Sequence, residues 1–405
     1  MYTLYGDGIH DDTLAIQELI DRAGCELSLP APKAFYLISK TLELPSNFRF
    51  VLPRYAEIRL ADNSNCIMIR NRPPVRNPEP IETRNEFDAF LVEKGEKPAC
   101  NIEICGGIWN CNNMGQLPNP IQVKESRQKG FAGYAMLFYH IKNFKISSLT
   151  VKDPTNFAVT LDTVSYFTVE DITFDYNDGN PFSINMDGIH LNGNCHFGII
   201  RNLKGACRDD LVALNADEGS AGPITNIEID GIFAEECHSA VRLLSVHHKI
   251  EKVHISNVFG TYYQYCIGVT KFYPGVTDGG YDAISFDHIY ASKATRHLHL
   301  YPWPNSRVYA LIWISHDTVV KNLSIGHLHR REENNPIATV HVGANTVIDR
   351  LILNDVTTEN ATGAPMPLLH NEGTIRALAL RHVYAKDDEL IENLGTIEHL
   401  VNETE

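Results

Sequence analysis

Short alternations of apolar and polar residues recur along most of the chain at a nearly constant interval. Residues 144–151 (FKISSLTV) are followed by residues 167–174 (FTVEDITF), an offset of 23 positions, and the same form returns at residues 224–229, 250–255, 319–325, 347–353 and 375–380. A period of two is typical of strands with one buried face. A strand-only unit that repeats every 20 to 30 residues or so is typical of a β-solenoid, in which each coil packs its inward Ile, Val and Leu on the coil beneath.

The start of the chain has a different pattern. Residues 14–23 carry apolar side chains at helical spacing behind Asp11, Asp12 and Thr13, which are capping candidates. This predicts one short helix within an N-terminal cap at about residues 6–24. Turn-rich and charged stretches at about 71–100 and 112–130 are predicted surface insertions. Because the shared pattern runs from residue 6 to about 395, residues 1–405 are predicted to form a single domain.

Composition excludes several classes of partner. The 35 Lys and Arg against 50 Asp and Glu give a formal charge of −15, which argues against nucleic acid or an anionic membrane. The first residues lack a signal-peptide pattern, so a cytoplasmic location is expected, although a trimmed form of an exported protein would look the same. Nine Cys occur without a C-x-x-C pair, and free thiols are therefore expected.

Three carboxylates are predicted to gather at one place in the repeat. Residues 185–192 (NMDGIHLN) align without a gap on residues 208–215 (RDDLVALN), again offset by 23, so that Asp187 lies over Asp210 and Asp209 is adjacent. Neighbouring parallel strands lie about 4.8 Å apart. Strict alternation turns Asp187 and Asp210 inward, but strand starts can bend, and we expect all three to face solvent in a shallow groove. Close carboxylates cannot all ionise easily, so one keeps its proton.

Two motifs carry a resemblance to known families. Residues 6–17 (GDGIHDDTLAIQ) resemble the N-terminal signature of the pectate-lyase superfamily, in which such a helix caps a right-handed parallel β-helix. N-x-D-G followed one coil later by D-D-x-x-A resembles the polygalacturonase family, glycoside hydrolase family 28. That resemblance implies hydrolysis with inversion, with Asp187 as the general acid and with Asp209 and Asp210 positioning or deprotonating water. Inversion requires the acid and base to be about 6.5 to 9.5 Å apart.

The chain departs from that family at the residues that would hold the substrate. The family's Gly-His-Gly is replaced by residues 237–239 (CHS), and its Arg-x-Lys is represented only by Lys271. Lys271 is a candidate to supply one charge, and Arg242, which lies on the predicted outward face, is a candidate to supply the other. Because a bidentate Arg is the usual ligand of a sugar carboxylate, the acidity of the sugar stays open.

Two histidines are further candidates at the site. His238 falls level with Asp209 when Val241 and Leu243 are aligned on Val212 and Leu214, so it is a candidate to orient a catalytic Asp, with a surface His as the alternative. His190 is a candidate for binding a sugar hydroxyl, with a stacked, solvent-facing His as the equal alternative. Residues 262, 263 and 265 are tyrosines that predict coil packing, with a sugar-stacking rim formed together with Tyr273 as the alternative.

The leading hypothesis is an inverting glycosidase that acts on an oligosaccharide or polysaccharide, with no cofactor and no metal. One alternative is a polysaccharide lyase in which Asp187, Asp209 and Asp210 hold Ca²⁺ and Lys271 or Arg242 abstracts a proton. Another is a non-catalytic glycan-binding or tailspike-like solenoid, in which the Asp residues are structural. The remaining His residues are too scattered to define a metal site, and oligomeric state stays open.

Overall fold

The computed structural model describes residues 2–72, 97–118, 133–180, 185–272, 278–295, 308–386 and 389–404. By its contacts the chain divides into an N-terminal unit, Met1–His190, and a C-terminal unit, Leu191–Glu405. Residues 73–96 and 119–132, which hold most of the two predicted insertions, lie outside the described residues. The prediction of a single domain stays a prediction.

The N-terminal unit begins with the predicted helix, α1 (Thr13–Arg22). Its Ala15, Ile16 and Ile20 are buried, and the Gln17 side chain bonds the main chain of Glu43 twice, donating to its carbonyl (3.1 Å) and accepting from its amide (2.9 Å). An exposed strand edge leaves such main-chain groups unpaired. The helix therefore supplies the partners that a preceding coil would supply, as expected of a cap.

Parallel strands follow the helix in the described part of the N-terminal unit. They are β1 (Glu26–Ser28), β2 (Tyr36–Ile38), β3 (Leu42–Leu44), β4 (Phe48–Val51), β5 (Glu57–Leu60), β6 (Ile69–Asn71), β7 (Ala99–Cys105), β8 (Ile108–Asn110), β9 (Tyr134–Lys152) and β10 (Phe157–Asp175). In β9 and β10 Phe144 pairs with Phe167 and Val151 with Phe174. The predicted offset of 23 residues is thus the register of two stacked coils. The strand β11 (Ile189–Leu191) crosses the division between the units.

The C-terminal unit alternates long and short strands. They are β12 (His196–Gly205), β13 (Asp210–Asn215), β14 (Ile224–Cys237), β15 (Ser239–Leu244), β16 (Lys249–Tyr262), β17 (Ile267–Thr270), β18 (Gly280–Lys293), β19 (Ile312–Ile314), β20 (Val319–Glu332), β21 (Val340–Val342), β22 (Val347–Asn360), β23 (Leu369–Asn371), β24 (Thr374–Ala385), β25 (Ile391–Asn393) and β26 (Thr396–Glu403). Each long strand pairs in parallel with the next long strand, and each short strand with the next short strand.

The short strands form one sheet with a buried and an outer face. Its inner positions are filled by apolar residues that are nearly inaccessible to solvent, Val212, Val241, Ile267, Ile312, Val340 and Leu369. One step along each strand, the register aligns an outer column: Ala213, Arg242, Gly268, Trp313, His341, His370 and Glu392. This outer column places polar and aromatic side chains at intervals of about 4.8 Å.

Both units are parallel β-helix, and the predicted fold class is confirmed: an all-β, right-handed parallel β-helix with a short N-terminal capping helix. All nine cysteines are free, as expected, and five of them are buried. Among the described residues, no helix has the length and apolar character needed to span a membrane.

Candidate functional site

Asp187 lies just before β11 and is fully buried, together with His190. The His190 Nδ1 is 2.7 Å from the Asp187 Oδ2, and the imidazole stacks on the Phe157 ring at 3.9 Å between centroids. The main chain is fixed as well, because the Asp187 carbonyl accepts from the Ala158 amide and the Tyr176 hydroxyl, both at 3.0 Å. The expectation that Asp187 and His190 face solvent is wrong, since Phe157 covers the imidazole and the imidazole engages the carboxylate.

Asp210, the first residue of β13, is also fully buried. Its register partner Ser239 donates a short hydrogen bond to Oδ1, the Tyr265 hydroxyl donates to the same oxygen at 3.3 Å, and the Arg242 Nε lies 2.9 Å from Oδ2. An ionised carboxylate is an acceptor only, so two hydroxyl donors and a neighbouring cation match it. Strict alternation was therefore the better guide to Asp210 than the expectation of a solvent-facing groove.

Arg242 does lie on the outer column, as predicted, but its side chain is only 15% exposed and is ion-paired with Asp210. Its guanidinium lies 5.8 Å from the centroid of the Phe272 ring. Burial opposes the charge, yet the Asp210 carboxylate outweighs it and raises the pKa of Arg242 above its usual range. Arg242 is thus placed to hold Asp210, which leaves less of it available for the predicted contact with substrate.

Asp209 and His238 are brought level, as the alignment of the repeats predicted. Asp210 pairs with Ser239, and the His238 Nδ1 consequently lies 3.4 Å from the Asp209 Oδ1. The side chain of Asp209 is 11% exposed, the most accessible of the three predicted carboxylates, whereas His238 packs in a deeply buried position against the edge of the Tyr263 ring. Burial lowers the pKa of His238 from 6.5 to about 4. At neutral pH His238 is therefore an uncharged neighbour of Asp209.

The lowered pKa of His238 predicts a pH-dependent stability. As pH falls from about 6.5 to about 4, the unfolded chain binds a proton at His238 that the folded chain does not, so the free energy of unfolding is expected to fall by up to about 3 kcal/mol. His238→Gln removes this contribution, and its unfolding free energy, measured in urea across this range, should show a shallower slope than the native chain. The exposed His399→Gln is the control. Equal slopes in the native chain and His238→Gln would contradict the assignment.

Lys271 follows β17 and is buried, with 7% of its surface exposed. Its main-chain amide donates to the Ser315 Oγ at 2.8 Å, and its charge helps to lower the pKa of Asp317, after the hydrogen bonds from His316 and Asn345. Its predicted contact with substrate stays a prediction.

The tyrosines 262, 263 and 265 are buried, which confirms coil packing for these three, whereas Tyr273 lies outside the described residues. Sequence reasoning missed that Tyr265 is also a polar partner of Asp210, from a position 55 residues away. Burial raises the pKa of Tyr265 well above its usual range, so its hydroxyl stays a donor. Sequence reasoning also missed Ser239 as a partner of Asp210. The alignment that placed His238 level with Asp209 also places Ser239 level with Asp210.

Asp209, Asp210 and His238 together make a compact acid–base cluster. Their ligand atoms are close enough to surround one metal ion, but the Arg242 cation beside Asp210 opposes a second positive charge there. Chemically, the cluster offers one partly accessible carboxylate, Asp209, supported by a neutral imidazole and by a second carboxylate whose charge is already compensated.

Comparisons with known proteins agree with this fold. Residues 99–255 match the family described as glycosyl hydrolases family 28, and no curated protein sequence matches. The fold is similar to endo-xylogalacturonan hydrolase from Aspergillus tubingensis (13% identity, 92% of this chain and 94% of that one, TM-score 0.57). It is also similar to polygalacturonase from Erwinia carotovora ssp. carotovora (14% identity, 96% and 94%, TM-score 0.54).

A third similar structure is the A-module of mannuronan C-5 epimerase AlgE6 from Azotobacter vinelandii (12% identity, 99% and 97%, TM-score 0.57). At such identities the structural likeness establishes the fold alone. The family match is independent of it and spans the segment that contains Asp187, Asp209, Asp210 and His238. The chain is thus a right-handed parallel β-helix protein that resembles glycosyl hydrolases family 28 over residues 99–255.

Proposed function

We propose that this protein is a glycoside hydrolase that cleaves a glycosidic bond of an oligosaccharide or polysaccharide with inversion. The observation that carries the proposal is the Asp209–Asp210 pair, built into a buried set of polar partners inside the segment that matches glycosyl hydrolases family 28. Burying charge is costly unless it is compensated. A fold that needed only a packed coil at this position would not require two adjacent carboxylates, an arginine and a histidine there.

In this proposal Asp187 is the general acid. This role rests on the position of Asp187 in the segment that resembles glycosyl hydrolases family 28, and it requires the substrate to reach a buried carboxyl group, which then donates a proton to the oxygen of the leaving sugar as the glycosidic bond breaks. The 2.7 Å contact with His190 Nδ1 holds the carboxyl in one orientation, and the stacking of His190 on Phe157 holds the imidazole. His190 is thus a positioning residue, and its predicted direct contact with a sugar hydroxyl is not needed.

Asp209 is proposed to activate the water. The water oxygen attacks the anomeric carbon and its proton passes to the Asp209 carboxylate, which balances the proton that Asp187 gives up. The exposure of Asp209 supports this role, because it alone of the adjacent pair has accessible surface in its side chain. Asp210 supplies a fixed negative charge behind it, and Arg242, Ser239 and Tyr265 hold that charge in place.

The same contacts disfavour the lyase alternative. A Ca²⁺ site requires several free carboxylate or carbonyl oxygens, whereas one oxygen of Asp210 accepts hydrogen bonds from Ser239 and Tyr265 and the other lies beside the Arg242 cation. Arg242 is also unsuited to abstract a proton, because the acidic neighbours that raise its pKa keep it protonated. We therefore propose a carbohydrate partner and hydrolysis, and leave the acidity of the sugar to experiment.

The test is a screen of neutral and acidic glycans for new reducing ends, read beside the ultraviolet absorbance of unsaturated sugars. Hydrolysis is expected to release reducing ends without that absorbance, and proton NMR of the first product should show the inverted anomer. Asp209→Asn is expected to lose release while keeping its unfolding free energy within about 1 kcal/mol of the native value. An unsaturated product would overturn the proposal in favour of elimination. Binding of glycans without turnover in the native protein would overturn it in favour of a binding module.

A further inference from the structure

Two histidines and a glutamate meet in the C-terminal unit, apart from the partners of Asp210. His341 on β21 and His370 on β23 are register partners in the outer column, and Glu372 follows β23 directly. The Nε2 of His341 lies 3.4 Å from the Glu372 Oε2, and the Nε2 of His370 lies 3.4 Å from the Glu372 Oε1. One carboxylate therefore faces the same nitrogen of two imidazoles, one on each oxygen.

These separations are long for hydrogen bonds, and one ligand atom from each of the three residues lies within 4.8 Å of the others, which is close enough to surround one ion. N–H···O bonds are most common near 2.9 to 3.0 Å or so. A tetrahedral ion with bonds of about 2.0 to 2.1 Å to nitrogen and oxygen holds its ligand atoms about 3.3 to 3.4 Å apart. Two His and one Glu with an open fourth position is also a ligand set that divalent zinc uses in proteins.

A second observation concerns the other nitrogen of His370. Its Nδ1 lies 2.7 Å from the Glu392 Oε2, a residue of β25 directly beside His370 in the register. Metal-binding histidines commonly donate their remaining N–H to a carboxylate, which fixes the tautomer and leaves the lone pair of the opposite nitrogen for the ion. With its proton on Nδ1, the His370 Nε2 presents a lone pair toward Glu372.

The main chain around Glu372 is also fixed in place. The Glu372 amide donates to the Val342 carbonyl at 2.8 Å. The neighbouring Asn371 is held by its side chain. Its side-chain Nδ2 donates to the Asn393 Oδ1 at 2.7 Å, and its Oδ1 accepts from the main-chain amide of Gly373 at 3.1 Å. A ligand whose main chain is held by three strands loses little freedom on binding an ion, which is the condition for a preorganised site.

Another group of potential ligands, Asp287, His288 and His327, is less suitable. The Asp287 carboxylate lies 3.1 Å from His288 Nδ1 and 2.7 Å from His327 Nδ1. These contacts are hydrogen-bond distances, shorter than the separations between Glu372 and the two histidines of the first cluster. We therefore interpret Asp287, His288 and His327 as surface ion pairs. They provide a matched comparison for the cluster of His341, His370 and Glu372.

We propose that His341, His370 and Glu372 bind one divalent transition-metal ion of the zinc type, with Glu392 as the outer carboxylate. The side chains of the three ligands are 21%, 21% and 41% exposed, so the fourth position is open to water or to an oxygen of a ligand. The site lies on the same outer column as Arg242, three strand spacings farther along. The proposal does not depend on the hydrolase activity.

The test uses the full chain stripped of metal with a chelator and titrated with Co²⁺, with Zn²⁺ as competitor. One equivalent of Co²⁺ is expected to give the visible absorption of a four- or five-coordinate site and to be displaced by Zn²⁺. His341→Ala and Glu372→Gln are expected to weaken binding more than about 100-fold, and Glu392→Gln about 10- to 100-fold. Unfolding of the metal-free variants checks that each is folded.

His327→Ala is the matched control and is expected to bind Co²⁺ as the native chain does. The proposal is overturned if the native chain takes up no stoichiometric ion. It is equally overturned if His341→Ala or Glu372→Gln binds unchanged, or if His327→Ala abolishes binding, because the ion would then belong to the other cluster.

Discussion

Asp187→Asn is expected to lower kcat by about 10²- to 10⁴-fold with KM within about threefold of the native value. The substitution keeps the size and a polar contact for His190, whose Nδ1 lies 2.7 Å from the carboxylate, but it removes the proton that the leaving oxygen requires. Steady-state kinetics on the glycan identified by the reducing-end screen measure both constants. Unchanged turnover in this variant would end the assignment of Asp187 as the acid.

The leaving group provides a sharper test of the same assignment. An aryl glycoside with a weakly basic phenolate leaves without protonation, so Asp187→Asn is expected to recover most of its loss on such a substrate. Asp209→Asn is the matched control, since water activation is needed for either substrate and its loss should persist on both. Equal losses for the two variants on both substrates would show that Asp187 does not act as a proton donor.

The repeat was readable from the sequence because burial in a coil acts at every second residue. The pairing of Phe144 with Phe167 was therefore predictable from the sequence, and the structure confirms it. The same reasoning placed His238 level with Asp209. The burial of Asp210 was not predicted, because a residue at the start of a strand can be turned away from the direction that alternation gives it, and the expectation of a solvent-facing groove relied on such a turn. The donors that make this burial tolerable are contributed one and two coils later by Ser239 and Tyr265.

Individual contacts across coils were harder to read than the coils themselves. His341 and His370 stand at the same register position 29 residues apart, yet a pair of histidines at that spacing carries no pattern that separates a ligand pair from two surface residues. Glu372 and Glu392 complete the cluster through side-chain directions that alternation does not determine. Arg242 was likewise placed on the correct face without any sign that its partner would be Asp210 rather than a substrate.

Arg242→Met is expected to lower the free energy of unfolding by about 3 to 5 kcal/mol, because it leaves the buried Asp210 charge without its cation. Methionine keeps much of the length and apolar surface of the arginine stem, so the loss reports mainly on the charge. Urea unfolding at neutral pH measures the effect. Arg376→Met is the matched control: Arg376 is paired with Asp349 at 2.6 Å, but the two side chains are 56% and 44% exposed, and the expected loss is below about 1 kcal/mol.

The double variant Arg242→Met, Asp210→Asn separates the charge from the packing. If the uncompensated carboxylate causes the loss, removing both charges is expected to recover about 1 to 3 kcal/mol relative to Arg242→Met alone. Additive losses would contradict the coupling and assign the effect to other contacts of the arginine side chain, such as that of its guanidinium with the Phe272 ring. Coupling would also support the chemistry proposed for the pair, because the Asp210 charge would then be held in one place, beside the Asp209 carboxylate that we propose activates the water.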